Sequence, residues 1–200
     1  MSTESSFDSS SMPLKLLCLH GGGETSITFR GQAGLVSLMN NLPDLEFVFA
    51  EAPSNSVWIQ DPPGGKDQPT TDPNWADESI SYLDNLVSEQ GPFFGILGYS
   101  QGAAFIPVYL AKTSNSFNIA IMFNGYLPTT HHGLIETINS VAPIQTESVL
   151  FVGDYDYYFG DLASDLANKF DSSQIVFSNE SGHHLPCLLY TSDAADDGYR

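Results

Sequence analysis

Apolar positions along the chain fall into short continuous runs that alternate with stretches of helical spacing. The β-rich runs cover residues 14–19, 45–50, 93–97, 119–123, 149–152 and 174–177. Between them, residues 29–40, 75–89, 101–112, 132–139 and 162–170 carry the helical pattern. Strands buried on both faces read as unbroken apolar runs. The alternation therefore predicts an α/β fold, a mainly parallel sheet flanked by helices. Pro107 falls inside the third helical segment and is expected to kink it or end it near Ile106. The connection 53–73 is long and rich in Pro, Gly, Asp and Thr, with Trp58 inside it and Trp75 just beyond. Two readings of it stay open: a loop that covers a ligand, or a solvated excursion with two aromatic anchors.

Composition narrows the class. The chain has 200 residues, 42% of them hydrophobic, which suits one domain with a sizeable core. Twenty-four acidic residues stand against 6 Lys and Arg, a net charge of −18, and a field of that sign repels nucleic acid and anionic lipid. No run of about 18 apolar residues is present to span a membrane. Residues 1–13 are Ser-rich, lack a basic start and an apolar run, and read as a disordered tail. Cys18 lies in an apolar run and Cys187 near the end, which gives no disulfide framework and makes the cytoplasm the expected compartment.

Chemistry concentrates at Gly98-Tyr99-Ser100-Gln101-Gly102, a G-x-S-x-G pattern entered from an apolar run and left into a helical one. Strand, sharp turn and helix make a nucleophile elbow, which exposes the serine hydroxyl beside the first N–H groups of the helix. The pattern is short enough to arise by chance, so the flanking strand and helix carry the case. A serine hydroxyl needs a general base, and the base needs an orienting acid. Acid and histidine should follow the serine in that order, each after a strand. After the run 149–152 come Asp154 and Asp156. Both qualify as the acid; a short turn lets Asp156 reach back, whereas Asp154 suits a cap of the turn. After the run 174–177 come Gly182, His183 and His184. His183 is the favoured base, because the preceding glycine frees the backbone to aim the ring, and His184 is the alternative.

An oxyanion hole needs two backbone N–H donors. Gln101, directly after the serine, is expected to give one, and Gly22 in the loop His20-Gly21-Gly22-Gly23 the other. The same loop lacks a dinucleotide fingerprint and a following Gly-Lys-Ser/Thr, so no nucleotide cofactor is expected. His20 reads as a structural residue, and His131 and His132 have no metal-ligand spacing with other candidates, so no metal is expected either. Tyr126, Leu127, Tyr157 and Phe159 are candidate pocket walls.

These residues resemble the FSH family of small serine hydrolases, a cytosolic α/β-hydrolase group. The matching residues are Leu19-His20-Gly21, Phe29-Arg30-Gly31-Gln32, Ala52-Pro53, the run from Gly91 to Ala104, Gly153 with Asp156, and Gly182-His183 with Pro186. The resemblance covers residues 14–186. It implies an α/β-hydrolase fold and hydrolysis of carboxylic esters or thioesters through an acyl-enzyme. Ser100 would be the nucleophile, Asp156 the acid and His183 the base. Two departures stand out: Gly22 where many relatives are bulky, and Glu24 near where many have Asn or Gln. Both point to a more mobile oxyanion loop with an acidic neighbour.

The sequence of residues 187–200 carries no pattern for the closing helix that such a domain is expected to have. They read as translated adapter sequence, so the expectation is a hydrolase domain over 14–186 without its last helix. An acyl-protein thioesterase or related carboxylesterase shares the elbow pattern and is the alternative enzyme. A non-catalytic binding module on the same scaffold is the alternative of another class. A small acyl ester or thioester is the expected partner, and the sequence leaves the oligomeric state open.

Overall fold

The computed structural model describes residues 13–179 and 181–186, so the tail assigned above to 1–13, but for Pro13, and that assigned to 187–200 lie outside the described residues. Among the described residues six parallel strands form one sheet: β1 (Leu14–Leu19), β2 (Leu45–Ala50), β3 (Gly95–Tyr99), β4 (Ile119–Phe123), β5 (Glu147–Gly153) and β6 (Ser173–Ser178). Their order across the sheet is β2-β1-β3-β4-β5-β6. The direction of winding reverses between β1 and β3. The loops beyond that switch point are where open α/β sheets bind ligands. Leu17 pairs with Ile96 and Leu19 with Gly98, so the ends of β1 and β3 stay level and their loops emerge side by side.

Helices α1 (Ser26–Arg30), α2 (Ala33–Asn41), α3 (Asp77–Gln90), α4 (Gln101–Lys112), α5 (His132–Val141) and α6 (Ala163–Ala167) complete the described elements, with a 3-10 turn at Gly160–Leu162. Alternate residues of β1 serve two cores. Leu17 and Leu19 pack with Leu83 of α3, Phe105 of α4 and Ile138 of α5. Leu16 and Cys18 pack with Phe29 of α1 and with Leu35 and Leu38 of α2. Two-sided burial is the reason the strands read as unbroken apolar runs. Burial also pushes the Cys18 thiol far above its usual range, which leaves it unreactive.

Three elements depart from the pattern read along the chain. The helix expected over 29–40 is two helices, because Gln32 takes an extended conformation and its amide donates to Glu24 Oε1 at 2.9 Å. The helix expected over 162–170 ends at Ala167, because Lys169 and Asp171 exchange backbone hydrogen bonds with Ile144. Pro107 does not end α4, which continues to Lys112. Its missing N–H costs one helical bond, about 3 kcal/mol in an isolated helix. Pro107 lies buried among Phe105, Ile106, Val108 and Tyr109, and that burial offsets the loss.

Candidate active site

Ser100 stands between β3 and α4 with φ 52° and ψ −117°. A non-glycine residue held there stores roughly 1–3 kcal/mol, so its surroundings must enforce it. They do so by close packing. A Cβ on Gly98 would lie 2.7 Å from the backbone of Gly102 and Ala103, and one on Gly102 would lie 2.5 Å from the carbonyl oxygens of Leu19 and His20. Ser100 N–H donates to Phe123 O at 2.9 Å, which pins the turn to the end of β4.

Ser100 Oγ lies 2.8 Å from His183 Nε2, and His183 Nδ1 lies 2.7 Å from Asp156 Oδ2. A carboxylate only accepts, so Nδ1 carries the proton and Nε2 is free to accept from the serine hydroxyl. The Asp156 side chain is 1% exposed. Its second oxygen accepts from Phe159 N–H at 3.3 Å. Of the two aspartates after β5, Asp154 is exposed, and among the described residues its carboxylate caps nothing. Of the two histidines, His184 is exposed and contributes its backbone instead.

Gly22 packs against Gln101, close enough that a Cβ would meet that side chain at 3.3 Å. The neighbouring N–H groups are occupied, Gly21 with Glu24 Oε2 at 3.0 Å and Gly23 with Ser56 O at 2.8 Å. Among the described residues, the N–H groups of Gly22 and Gln101 have no protein acceptor. Gln101 lies at the helix start, where an N–H has no intrahelical partner. Glu24 thus braces the loop, tying Gly21 to Gln32, rather than loosening it. His20 is fully buried and structural. Its Nε2 accepts from Ala52 N–H at 3.0 Å, so Nδ1–H donates to Gly21 O at 2.8 Å.

The connection 53–73 is no solvated excursion over its first part. Trp58 is fully buried, stacks on Phe105 and donates from its indole to His20 O at 2.8 Å. Gln101 grips the same segment, accepting from Trp58 N–H at 2.8 Å and donating to Ile59 O at 3.2 Å. Beside it runs a cleft of about 330 Å³, walled by Ile59, Gln101, Tyr126, Phe159 and Leu162, with Asp61 and Lys66 towards its rim. Tyr126 and Phe159 stack at 4.4 Å, and Phe159 reaches the His183 ring at 4.8 Å. Burial, and after it the charge of Asp61, pushes the Tyr126 hydroxyl up to about 12. Leu127 belongs to the core and Tyr157 is 83% exposed, so neither walls this cleft.

Two residues that hold the site were not read from the sequence. Tyr99 donates to the carbonyl of His183 at 2.7 Å, and Asn124 hydrogen-bonds both Gly153 at the end of β5 and Gly182 beside His183. An Asn-Gly after a strand was the available signal for Asn124, since Asn tolerates positive φ.

A parallel sheet with a serine elbow at its switch point defines the α/β-hydrolase class. A carboxylesterase from Mesorhizobium loti has this fold: its structure aligns with a TM-score of 0.59 at 16% identity, over 88% of this chain and 84% of that one. The chain belongs to the Serine hydrolase (FSH1) family, whose model matches residues 55–195. It is similar to esterase C25G4.2 of Caenorhabditis elegans, 26% identical over 90% of each chain. It is also similar to rhodanese-like domain-containing protein 6 of Arabidopsis thaliana, 27% identical over 92% of this chain, and spans 38% of that protein's length.

Proposed function

We propose that this chain hydrolyses small carboxylic esters or thioesters through an acyl-enzyme on Ser100. The observation that carries the reading is the hydrogen-bonded series Ser100–His183–Asp156, which adjoins the cleft through two of its walls, Gln101 next to Ser100 and Phe159 against the His183 ring. Ser100 Oγ attacks the acyl carbon as its proton passes to His183 Nε2. The N–H groups of Gly22 and Gln101 hold the oxyanion, each worth about 2.7–4 kcal/mol in the transition state. Collapse expels the alcohol or thiol, which takes the proton from Nε2. Water then attacks the acyl group, gives its proton to the same nitrogen, and releases the acid as the proton returns to Ser100. Asp156 keeps the Nδ1 proton and stabilises the imidazolium throughout.

The cleft is at the small end of ligand sites, which favours short acyl or alcohol groups over long chains. No helix among the described residues is long and apolar enough to cross a membrane. A reducing cytoplasm suits the free Cys18 thiol. Esterase-named relatives such as the nematode protein support the same chemistry. The test is Ser100→Ala, expected to abolish both ester turnover and labelling by a fluorophosphonate probe. Undiminished labelling of that variant would falsify the nucleophile assignment. A panel of oxygen esters and thioesters of graded chain length then reads the substrate, with turnover expected to fall at long chains.

A further inference from the structure

We propose that Asn124 is a positioning residue that sets the spacing between the acid and the base; the inference rests on the catalytic reading of Asp156 and His183. Asn124 follows β4 with φ 49° and is 4% exposed. Its side chain works in both directions. Oδ1 accepts from Gly153 N–H at 3.1 Å, at the end of β5 and three residues before Asp156. Nδ2 donates to Gly182 O at 3.0 Å and to His184 O at 3.3 Å, the two carbonyls that flank His183. One carboxamide therefore spans the strand that delivers the acid and the loop that delivers the base.

The gap it spans is tight. A Cβ on Gly153 would lie 2.4 Å from Gly182 O and 2.5 Å from Ser181 O, so acid strand and base loop touch backbone to backbone. Tyr155 N–H adds a bond to Ser181 O at 3.0 Å. No other short side chain offers an acceptor and two donors at this reach. A carboxylate would face the Gly182 and His184 carbonyls with like partial charge, and an aliphatic group would remove the Asn124 bonds to Gly153 N–H, Gly182 O and His184 O, leaving Gly182 O only the His184 N–H. Asn124 is also anchored itself, its N–H donating to Phe151 O at 2.8 Å. It is thus fixed to the sheet and transmits the sheet's geometry to both loops. Among the described residues, Asn124 makes its hydrogen bonds to Gly153, Phe151, Gly182 and His184 and none to Ser100, so it acts through the pair it brackets.

Two substitutions separate this role from a mere need for positive φ. Asn124→Gly keeps the backbone freedom and removes every side-chain bond. Asn124→Asp keeps the shape and the acceptor for Gly153 but loses the donor. Both are expected to lower kcat for a p-nitrophenyl ester and the rate of fluorophosphonate labelling by about 10–100-fold, with KM changed less than threefold. A looser carboxylate stabilises the imidazolium less, so the acid limb of the kcat/KM profile is expected to move to lower pH. Circular dichroism and thermal melting establish that each variant is folded. A folded variant with kcat and labelling within twofold of the parent, or with an unmoved acid limb, overturns the proposal. Failure of both variants to fold overturns it too, by making Asn124 a folding determinant. Ser100→Ala is run alongside: activity retained there sinks the catalytic reading itself, whereas loss there with unchanged Asn124 variants sinks only this inference.

Discussion

On the nucleophile side of the site, β3 is buried throughout and the glycines on either side of Ser100 pack without room for a Cβ. On the other side, Asp156 and His183 stand on two loops, and the neighbours of Asp156, Tyr155, Tyr157 and Tyr158, are 57%, 83% and 88% exposed. The first arrangement is made by contiguous chain, strand against the helix that follows it. The second is made by hydrogen bonds that arrive from elsewhere: Tyr99 on the carbonyl of His183, and Asn124 on Gly153, Gly182 and His184. Steric exclusion can fix one residue in a strained turn. A pair on two separate loops has no shared backbone, so it must be held by directional bonds to a third element.

The elbow should be the less forgiving of the two. Gly102→Ala places a methyl group 2.5 Å from two backbone carbonyl oxygens of β1 and its loop, neither of which can turn away. Its cost is expected at or above the upper end of the ~1–3 kcal/mol typical of overpacking. Urea denaturation reads it, and a midpoint equal to the parent's would remove the steric account of the elbow.

A smaller effect is expected at alkaline pH. The hydroxyls of Tyr99, Tyr109 and Tyr126 are each pushed up to about 12, in every case chiefly by burial. An unfolded tyrosine loses its proton near pH 10. Between about pH 10 and 12 the unfolded chain therefore holds fewer protons than the folded one, and stability falls as pH rises. Below pH 10 the contribution is fully present. Denaturation midpoints measured from about pH 9 to 11.5 should decline across that window, and Tyr99→Phe should flatten part of the decline. A flat profile in the parent would count against these tyrosines being buried as described.

The smallest effect belongs to the base loop. Ser181 is 2% exposed, and among the described residues its hydroxyl has no hydrogen-bond partner. Ser181→Ala removes an unsatisfied polar atom, so it should be neutral or stabilising by up to about 1–3 kcal/mol, with turnover unchanged. A clear loss of stability would show that the hydroxyl is satisfied after all.

Strand positions were legible because the inner strands are buried on both faces and the edge strands β2 and β6 still carry apolar residues. The runs at 14–19, 45–50 and 119–123 coincide with β1, β2 and β4. Helix ends were less legible where a side chain or a distant backbone group intervenes, as Gln32 does through Glu24 and Ile144 does at Phe170. Pro107 misled because its helical cost is a local quantity and the burial that offsets it is not. In the site, Ser100, Asp156 and His183 could be nominated from chain order and strand ends. Tyr99 and Asn124 were not read, and Trp58 was read only as an anchor of its loop, since each acts on residues tens of positions away and none has a chemically reactive side chain.

What the sequence by itself determined is the sheet, its helices, and the elbow that delivers Ser100, because these depend on hydrophobic period and on glycines within a few residues. The sequence also favoured Asp156 and His183; what only the tertiary structure decided is what turns them towards the serine and holds them there. Asp154 and Asp156 differ by two positions, as His183 and His184 do by one. Which member of each pair turns inward is fixed by bonds from Asn124, Tyr99 and Phe159. Those bonds exist only once β3, β4 and β5 lie side by side, and no local pattern encodes a distance between strands that the chain reaches tens of residues apart.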